Sequence, residues 1–317
     1  MGPDEFHEKH PGAEVGGLRN NAYTNVMVAW IMDVAEKVLE LLPESRQQAL
    51  RDRLCLTEED LQTWRDMAQK MFVPFHKDGV VSQFEGYEAL RELDWEAYRA
   101  RHGNIQRLDR ILKAEGEEPD EYKLSKQADA LMLFFLFSQH ELADIFERLG
   151  YDYSPELARK TIEYYDQRTS HGSTLSFITH AGVLGDLHPE SSWERFVVAL
   201  ESDVGDVQGG TTKEGIHMGV MSGTLDLVQR RYAGTDIRDG VLRFEPRLLH
   251  RLEGLTFSMQ YRGTPLRVQI AGGEVTVSAP GDRFNRPVRV GVGEDVRELC
   301  AGDQCTFLLA GRAAGAH

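Results

Sequence analysis

The sequence predicts a mostly α-helical protein with a C-terminal β module, its helices packed as an α/α toroid. Up to about residue 233, apolar residues recur at three- and four-residue spacing in segments opened by Ser, Thr or Asn and closed by Gly or Pro. After about Gly234 the pattern changes to strict alternation interrupted by glycines. The helical segments are joined by loops of alternating length, which suits a toroid whose functional loops converge at one end. No fixed-period motif recurs, so a solenoid is not expected.

Ala22, Val26, Ala29, Trp30, Val34, Val38 and Leu41 give the first helix, 22–42, and Pro43 stops it. Thr57-Glu-Glu-Asp60 resembles a capping box and opens a helix carrying Leu61, Trp64 and Met71, which ends by Pro74. Residues 74–124 show weak periodicity but many aromatics (Phe75, Phe84, Tyr87, Trp95, Tyr98), which argue for an ordered wrap with short helical turns. Helical signals return from Ser125 through Phe137, and Ser138-x-x-Glu141 caps a helix closing at Gly150. Ser154-Pro155-Glu156 opens one that reaches about Gln167. Further helices are expected over 173–185, 189–202 and 214–232. Strands follow at 255–261, 266–270, 275–277, 288–290 and 307–309, with turns at Gly263 and Gly272-Gly273, giving a small antiparallel unit with one buried face.

Composition bounds the partners. With 51 acidic against 36 basic residues the net charge is −15, which argues against sequence-independent nucleic-acid binding. No apolar run is long enough to span a bilayer, and no signal-peptide pattern is present. The three cysteines, Cys55, Cys300 and Cys305, lack metal-ligand spacing and suit reduced thiols in the cytoplasm. Neither a metal site nor a cofactor is expected.

Four stretches carry candidate chemistry. The first is Gly2-Pro-Asp-Glu-Phe-His7 with Glu8, followed by Asn20-Asn-Ala-Tyr-Thr-Asn25: acids on a loop feeding directly into a helix, the arrangement a general acid needs. Chain ends are ordinarily mobile and polar, but the specific turn chemistry here argues for order. The second is Lys126-Gln127-Ala-Asp129, whose donors and acceptors suit sugar hydroxyls, although taken alone a solvated helix start explains it as well. The third, Arg168-Thr-Ser-His-Gly-Ser-Thr-Leu-Ser176, and the fourth, Gly209-Gly-Thr-Thr-Lys-Glu-Gly-Ile-His217, place hydroxyls, a His and a cation at helix starts, where unpaired N–H groups favour anions. A helix needs only one capping hydroxyl, and these segments exceed that. Neither matches the phosphate-binding loop of nucleotide enzymes.

These motifs, with Asp239-Gly-x-Leu-x-Phe-x-Pro-Arg247, Phe257 and Tyr261-Arg-Gly263, resemble glycoside hydrolase family 65: maltose, trehalose, kojibiose and nigerose phosphorylases and their hydrolase relatives. The resemblance implies the second half of an (α/α)6 barrel over 1–233 and a small antiparallel β domain over 234–310; the residues after it, 311–317, read as a disordered tail. It implies that the sequence opens in the acid-bearing loop at mid-barrel. A β-sandwich, the first half of the barrel and a Trp-Asp part of the sugar subsite would then lie upstream. The implied activity is inverting phosphorolysis of an α-linked glucose disaccharide of maltose, trehalose or kojibiose type to β-glucose 1-phosphate, with inorganic phosphate as co-substrate. Glu5 would be the acid, with Glu8 in reserve; Lys126 and Gln127 would bind the glucosyl unit; His171, Ser173, Thr174, Lys213 and His217 would hold phosphate. The alternatives are hydrolysis, with Glu214 as base for water, and a non-catalytic carbohydrate-binding fragment. Half a toroid would expose apolar surface, so association with a second copy or with the missing N-terminal half is expected.

Overall fold

The structure is a computed structural model describing residues 4–207, 211–249, 251–281 and 286–309; the side chains of Thr211 and Glu214 lie outside that description. Among the described residues there are eleven α-helices: α1 Ala22–Leu41, α2 Glu44–Leu54, α3 Glu58–Lys70, α4 Trp95–His102, α5 Leu108–Glu115, α6 Asp129–Leu136, α7 Gln139–Arg148, α8 Pro155–Asp166, α9 Thr174–Leu184, α10 Pro189–Glu201 and α11 Met218–Asp226. The anticipated caps form. Thr57 with Asp60 and Ser138 with Glu141 make reciprocal capping boxes, and Ser154 caps α8 ahead of Pro155. Helix α2 was not anticipated, because it buries none of its residues and so carries no apolar stripe to read. Two eight-residue helices, α4 and α5, occupy the aromatic wrap. Residues 125–128 are not helical: Ser125 pairs in parallel with Thr169, the chain bends at Lys126 and Gln127, and α6 begins only at Asp129. The segment expected as one helix over 214–232 is broken: a 3-10 turn at Thr211–Glu214, then α11, then a π-helical turn at Leu227–Tyr232.

Four of these helices lie side by side and parallel. Asn21 at the start of α1 bonds Asp129 at the start of α6, and Trp30 meets Phe137 beyond the end of α6. Met132 and Phe135 of α6 face Thr179 and Gly182 of α9. Leu175 and Ile178 of α9 face Gly219 and Gly223 of α11. The α6–α9 approach is set by Gly182, where a Cβ would stand 2.6 Å from the Phe135 ring. Helix α9 is the centre of this layer, with most of its residues buried. Outer helices run over it: α3 antiparallel to α1, through Asn25 with Phe72 and Glu36 with Arg65, and α10 over α9, through Ser192 with Ala181. The N-terminal ends of α1, α6, α9 and α11 therefore share one end of the layer.

Strands β1 Thr235–Arg238, β2 Val241–Phe244, β3 Gly254–Tyr261, β4 Thr264–Ala271, β5 Glu274–Ser278, β6 Val288–Val292, β7 Asp295–Leu299 and β8 Gln304–Leu308 form two four-stranded sheets, ordered β1-β2-β6-β7 and β3-β4-β5-β8. All neighbouring pairs are antiparallel except β2 with β6. Both sheets contribute inward residues to one core, including Phe244, Val268, Val275, Val290 and Phe307. Positive φ at both Arg262 and Gly263, and at Gly272 and Gly273, gives the two tight hairpin turns expected between β3, β4 and β5. The tail 311–317 lies outside the described residues.

Candidate active site

The loop that carries the acids is fastened from below. Phe6 is buried with Leu108, Leu112, Tyr122 and Leu124, a small core formed largely by the aromatic wrap. Asp4, also buried, accepts from Gln83 Nε2 at 2.8 Å and from the Lys126 backbone N–H at 3.0 Å, and pairs with His7 Nδ1 at 2.7 Å. The other His7 nitrogen donates to the Tyr122 carbonyl at 2.9 Å. Burial alone would lower the His7 pKa; the Asp4 hydrogen bond and charge outweigh it and raise the value. The Asp129 carboxylate accepts from the Asp4 backbone N–H and from Asn21 Nδ2 at 2.6 Å. Its burial, and then the neighbouring Asp4 charge, push its pKa up to about 7. A cavity of about 260 Å³ lies beside this network, lined among others by Asn20, Asn21, Thr24, Asn25 and Gln83.

Above it, Glu5 points outward, 68% exposed, and forms an ion pair with Lys126 Nζ at 2.6 Å. Gln127 follows, half-buried, just before α6. Glu8 is exposed, and its backbone N–H is held by Asp120 at 2.7 Å. Residues 1–3 of the motif lie outside the described residues.

The parallel bridge between Ser125 and Thr169 carries the Lys126 segment alongside the turn that opens α9. Gly172 in that turn is enclosed: a Cβ would meet the Gln106 carbonyl at 2.6 Å, Lys126 Cγ at 3.0 Å and the Phe6 ring at 3.5 Å. Only glycine lets the turn lie against both the acid loop and Lys126. His171 adopts a left-handed φ of 57°, unusual for a non-glycine residue. Its Nδ1 is 2.8 Å from Ser176 Oγ, and its ring stacks on Phe177. Burial, and then the charges of His180 and Arg195, hold the His171 pKa well below the usual histidine value. Ser173 occupies the N-cap position of α9, yet its side chain makes no capping hydrogen bond. Thr174 is buried at the first helical position.

One helix over, His217 stands at the start of α11, with its Nδ1 2.5 Å from Asp203. Lys213 lies just before it on the 3-10 turn. The glycines at 209 and 210 lie outside the described residues. Every described candidate thus lies at the shared end of the inner layer. A cleft of about 660 Å³ at the opposite end includes none of them; there Arg230 and Arg231 donate to the last carbonyls of α6.

Asp166, His171 and His180 place potential ligand atoms within 4.8 Å of one another. Arg195 donates to both oxygens of Asp166, and His180 Nδ1 takes one of them, so that carboxylate is already engaged by a fixed cation and an imidazole. Sequence reasoning gave no individual role to Asp4, His7, Gln83, Asp166 or His180. Their signal was weak: a polar residue within a buried helix, such as His180, and an acid adjoining a better candidate.

The arrangement defines an α/α-toroid protein with a carboxyl–lysine pair and two anion-favouring helix starts gathered at one end. The chain belongs to glycosyl hydrolase family 65: the family's central catalytic domain matches residues 1–226 and its C-terminal domain residues 235–295. It is 48% identical over 303 residues to an uncharacterized glycosyl hydrolase of Mycobacterium tuberculosis, covering 95% of this chain and 23% of that protein. It is 36% identical over 316 residues to trehalose 6-phosphate phosphorylase of Lactococcus lactis, covering 98% and 38%. It is 30% identical over 289 residues to kojibiose phosphorylase of Halothermothrix orenii, covering 89% and 34%. In fold it is similar to a putative kojibiose phosphorylase from human microbiome, with a TM-score of 0.72 at 21% identity over 97% of this chain and 39% of the other. The chain therefore spans well under half the length of these relatives. Among the described residues no helix is long and apolar enough to cross a membrane.

Proposed function

We propose that this chain carries the acid-, sugar- and phosphate-binding part of an inverting phosphorylase that cleaves an α-linked glucose disaccharide to β-glucose 1-phosphate. The observation that supports it most is the placement of the Glu5–Lys126 pair against the Gly172 turn, at the N-terminus of α9. In this reading Glu5 protonates the glycosidic oxygen as the bond to C1 breaks, and a phosphate oxygen bonds C1 from the opposite face. The displaced sugar leaves as a neutral hydroxyl compound, and the Glu5 carboxylate regains its proton from solvent. Phosphate is already an anionic nucleophile, so a base is not needed; it has only to be held. Ser173, whose hydroxyl is not spent on capping, Thr174, His171 and, from the segment leading into α11, Lys213 and His217 would hold it. Lys126 and Gln127 would bind the glucosyl unit, and a sugar hydroxyl accepting from Lys126 would free Glu5 for proton transfer.

The 36% identity to a trehalose 6-phosphate phosphorylase, against 26% to the α,α-trehalose phosphorylase of Thermoanaerobacter brockii, favours an acceptor that itself carries a phosphate. The 317-residue chain should be incubated with phosphate and, separately, maltose, trehalose, kojibiose and trehalose 6-phosphate. Phosphate-dependent release of β-glucose 1-phosphate, fastest from trehalose 6-phosphate, is expected. Free glucose released without phosphate would make it a hydrolase. Neither product would leave a binding fragment without catalysis.

A further inference from the structure

Asp166, His180 and Arg195 adjoin the turn that phosphate would occupy, yet the proposed chemistry uses none of them. They come from three helices: Asp166 ends α8, His180 lies within α9 and Arg195 projects from α10. Arg195 donates to Asp166 at 2.9 and 3.2 Å, and His180 Nδ1 lies 2.8 Å from the same carboxylate. The ion pair keeps Asp166 an acceptor, so the His180 proton sits on Nδ1 and the lone pair on Nε2. That Nε2 is buried, with no hydrogen-bond partner among the described residues. A buried acceptor left bare costs stability, so its retention calls for a reason.

The His171 ring lies beside the His180 ring, edge-to-face at 4.6 Å between centroids and 71° between planes. His171 is confined from the other directions by Phe177, stacked at 4.8 Å and 11°, and by Ser176. A non-glycine residue in the left-handed region is disfavoured by crowding of its Cβ and persists only where its surroundings hold it. Its φ of 57° turns the chain so that the following Gly172 lies against Lys126, just ahead of Ser173 and Thr174.

We propose that Asp166, His180 and Arg195 are positioning residues for the anion-binding turn 171–174: the ion-paired carboxylate fixes the His180 ring, and that ring wedges His171 into the single orientation that aims the turn. The proposal rests on the phosphate reading of that turn. The structural layer of the claim, however, concerns His171 alone and can be tested without turnover.

Two variants of the 317-residue chain, His180→Asn and Asp166→Asn, probe the relay. The first keeps a donor to Asp166 but removes the ring edge. Should Asp166→Asn fail to fold, Arg195→Lys is a milder way to loosen the same carboxylate. The readouts are 15N imidazole spectra of His171 and the affinities for inorganic phosphate and for glucose. Each variant is expected to change the His171 ring resonances and weaken inorganic phosphate binding about tenfold, with glucose affinity within about twofold. Asp166→Glu, which keeps the charge, should recover most of the loss. Unchanged His171 resonances in folded variants would overturn the proposal, as would phosphate and glucose affinities that fall together. If the wild-type chain binds no phosphate, the phosphorylase reading fails, and the His171 spectra alone decide the positioning claim.

Discussion

At the scale of the residue, the candidate site is organised by carboxylates that face inward rather than by the one that faces solvent. Asp4 and Asp129 are buried side by side with one imidazole between Asp4 and the Tyr122 carbonyl. Asp129 binds a proton more tightly in the fold, at about 7, than at its ordinary value of 3.8. Between those values the folded chain holds the extra proton, so this residue makes stability decline as pH rises from about 4 to about 7. His7 extends the decline. Its raised pKa means that its ion-pair contribution is complete below about 6.5 and is lost as pH climbs through the higher folded value. His171 and His180, buried with lowered values, act oppositely and lose stability as pH falls below about 6.5. Asp129→Asn removes only the first contribution. Urea midpoints at pH 5 and pH 8 should therefore show the variant gaining on the wild type at the higher pH; an identical pH slope in both would refute the assignment. For Glu5 the expectation is kinetic. In a phosphorolytically active chain, Glu5→Gln should cut turnover by about 10²–10⁴-fold with substrate affinity largely kept, whereas near-normal turnover would shift the role to Glu8.

Among elements, the parallel inner helices do the assembling, and close contacts set their spacing. Gly182 makes a close contact between α6 and α9, because the Phe135 ring stands where a side chain would go. Gly182→Ala should overpack that contact and destabilise by about 1–3 kcal/mol, measurable as a lower urea midpoint. Stability equal to wild type would mean that the helices are free to shift. Helix boundaries were legible where caps announced them, at Thr57, Ser138 and Ser154. Helix α2 was not legible, since a fully polar helix without buried residues leaves no periodic trace. Residues 125–128 were misread as helix because their pairing partner, at 168–170, lies far along the chain.

For the molecule as a whole, the inner layer has two open flanks. Ile31 and Val38 are half exposed on α1, while Ile216, Met218 and Leu225 are mostly exposed on and before α11. Apolar flanks of this kind on a partial toroid favour covering. Concentration-dependent association is expected in light scattering, weakened by Ile31→Glu and Leu225→Glu. A monodisperse monomer over a wide concentration range would contradict it.

The kinds of elements, most of their starts and the chemical types of the candidate site were legible from the sequence alone: the acids Asp4 and Glu5, the Lys-Gln step and the two hydroxyl-rich helix starts. These are local signals, read from spacing and capping within a few residues. Which of these groups meet is set by the packing of the chain. Asp4 reaches the Lys126 backbone across 122 residues and Asp129 across 125, and the Ser125–Thr169 pairing lays two of the motifs side by side. Such meetings depend on how helices pack and on which buried polar groups satisfy one another. Both are set by partners distant in the chain, which local periodicity does not encode. The same physics explains why Glu5 could be singled out from its motif as a candidate, while the Asp4 network that holds its loop, and the contact of the His180 ring with His171, became visible only once the helices were packed.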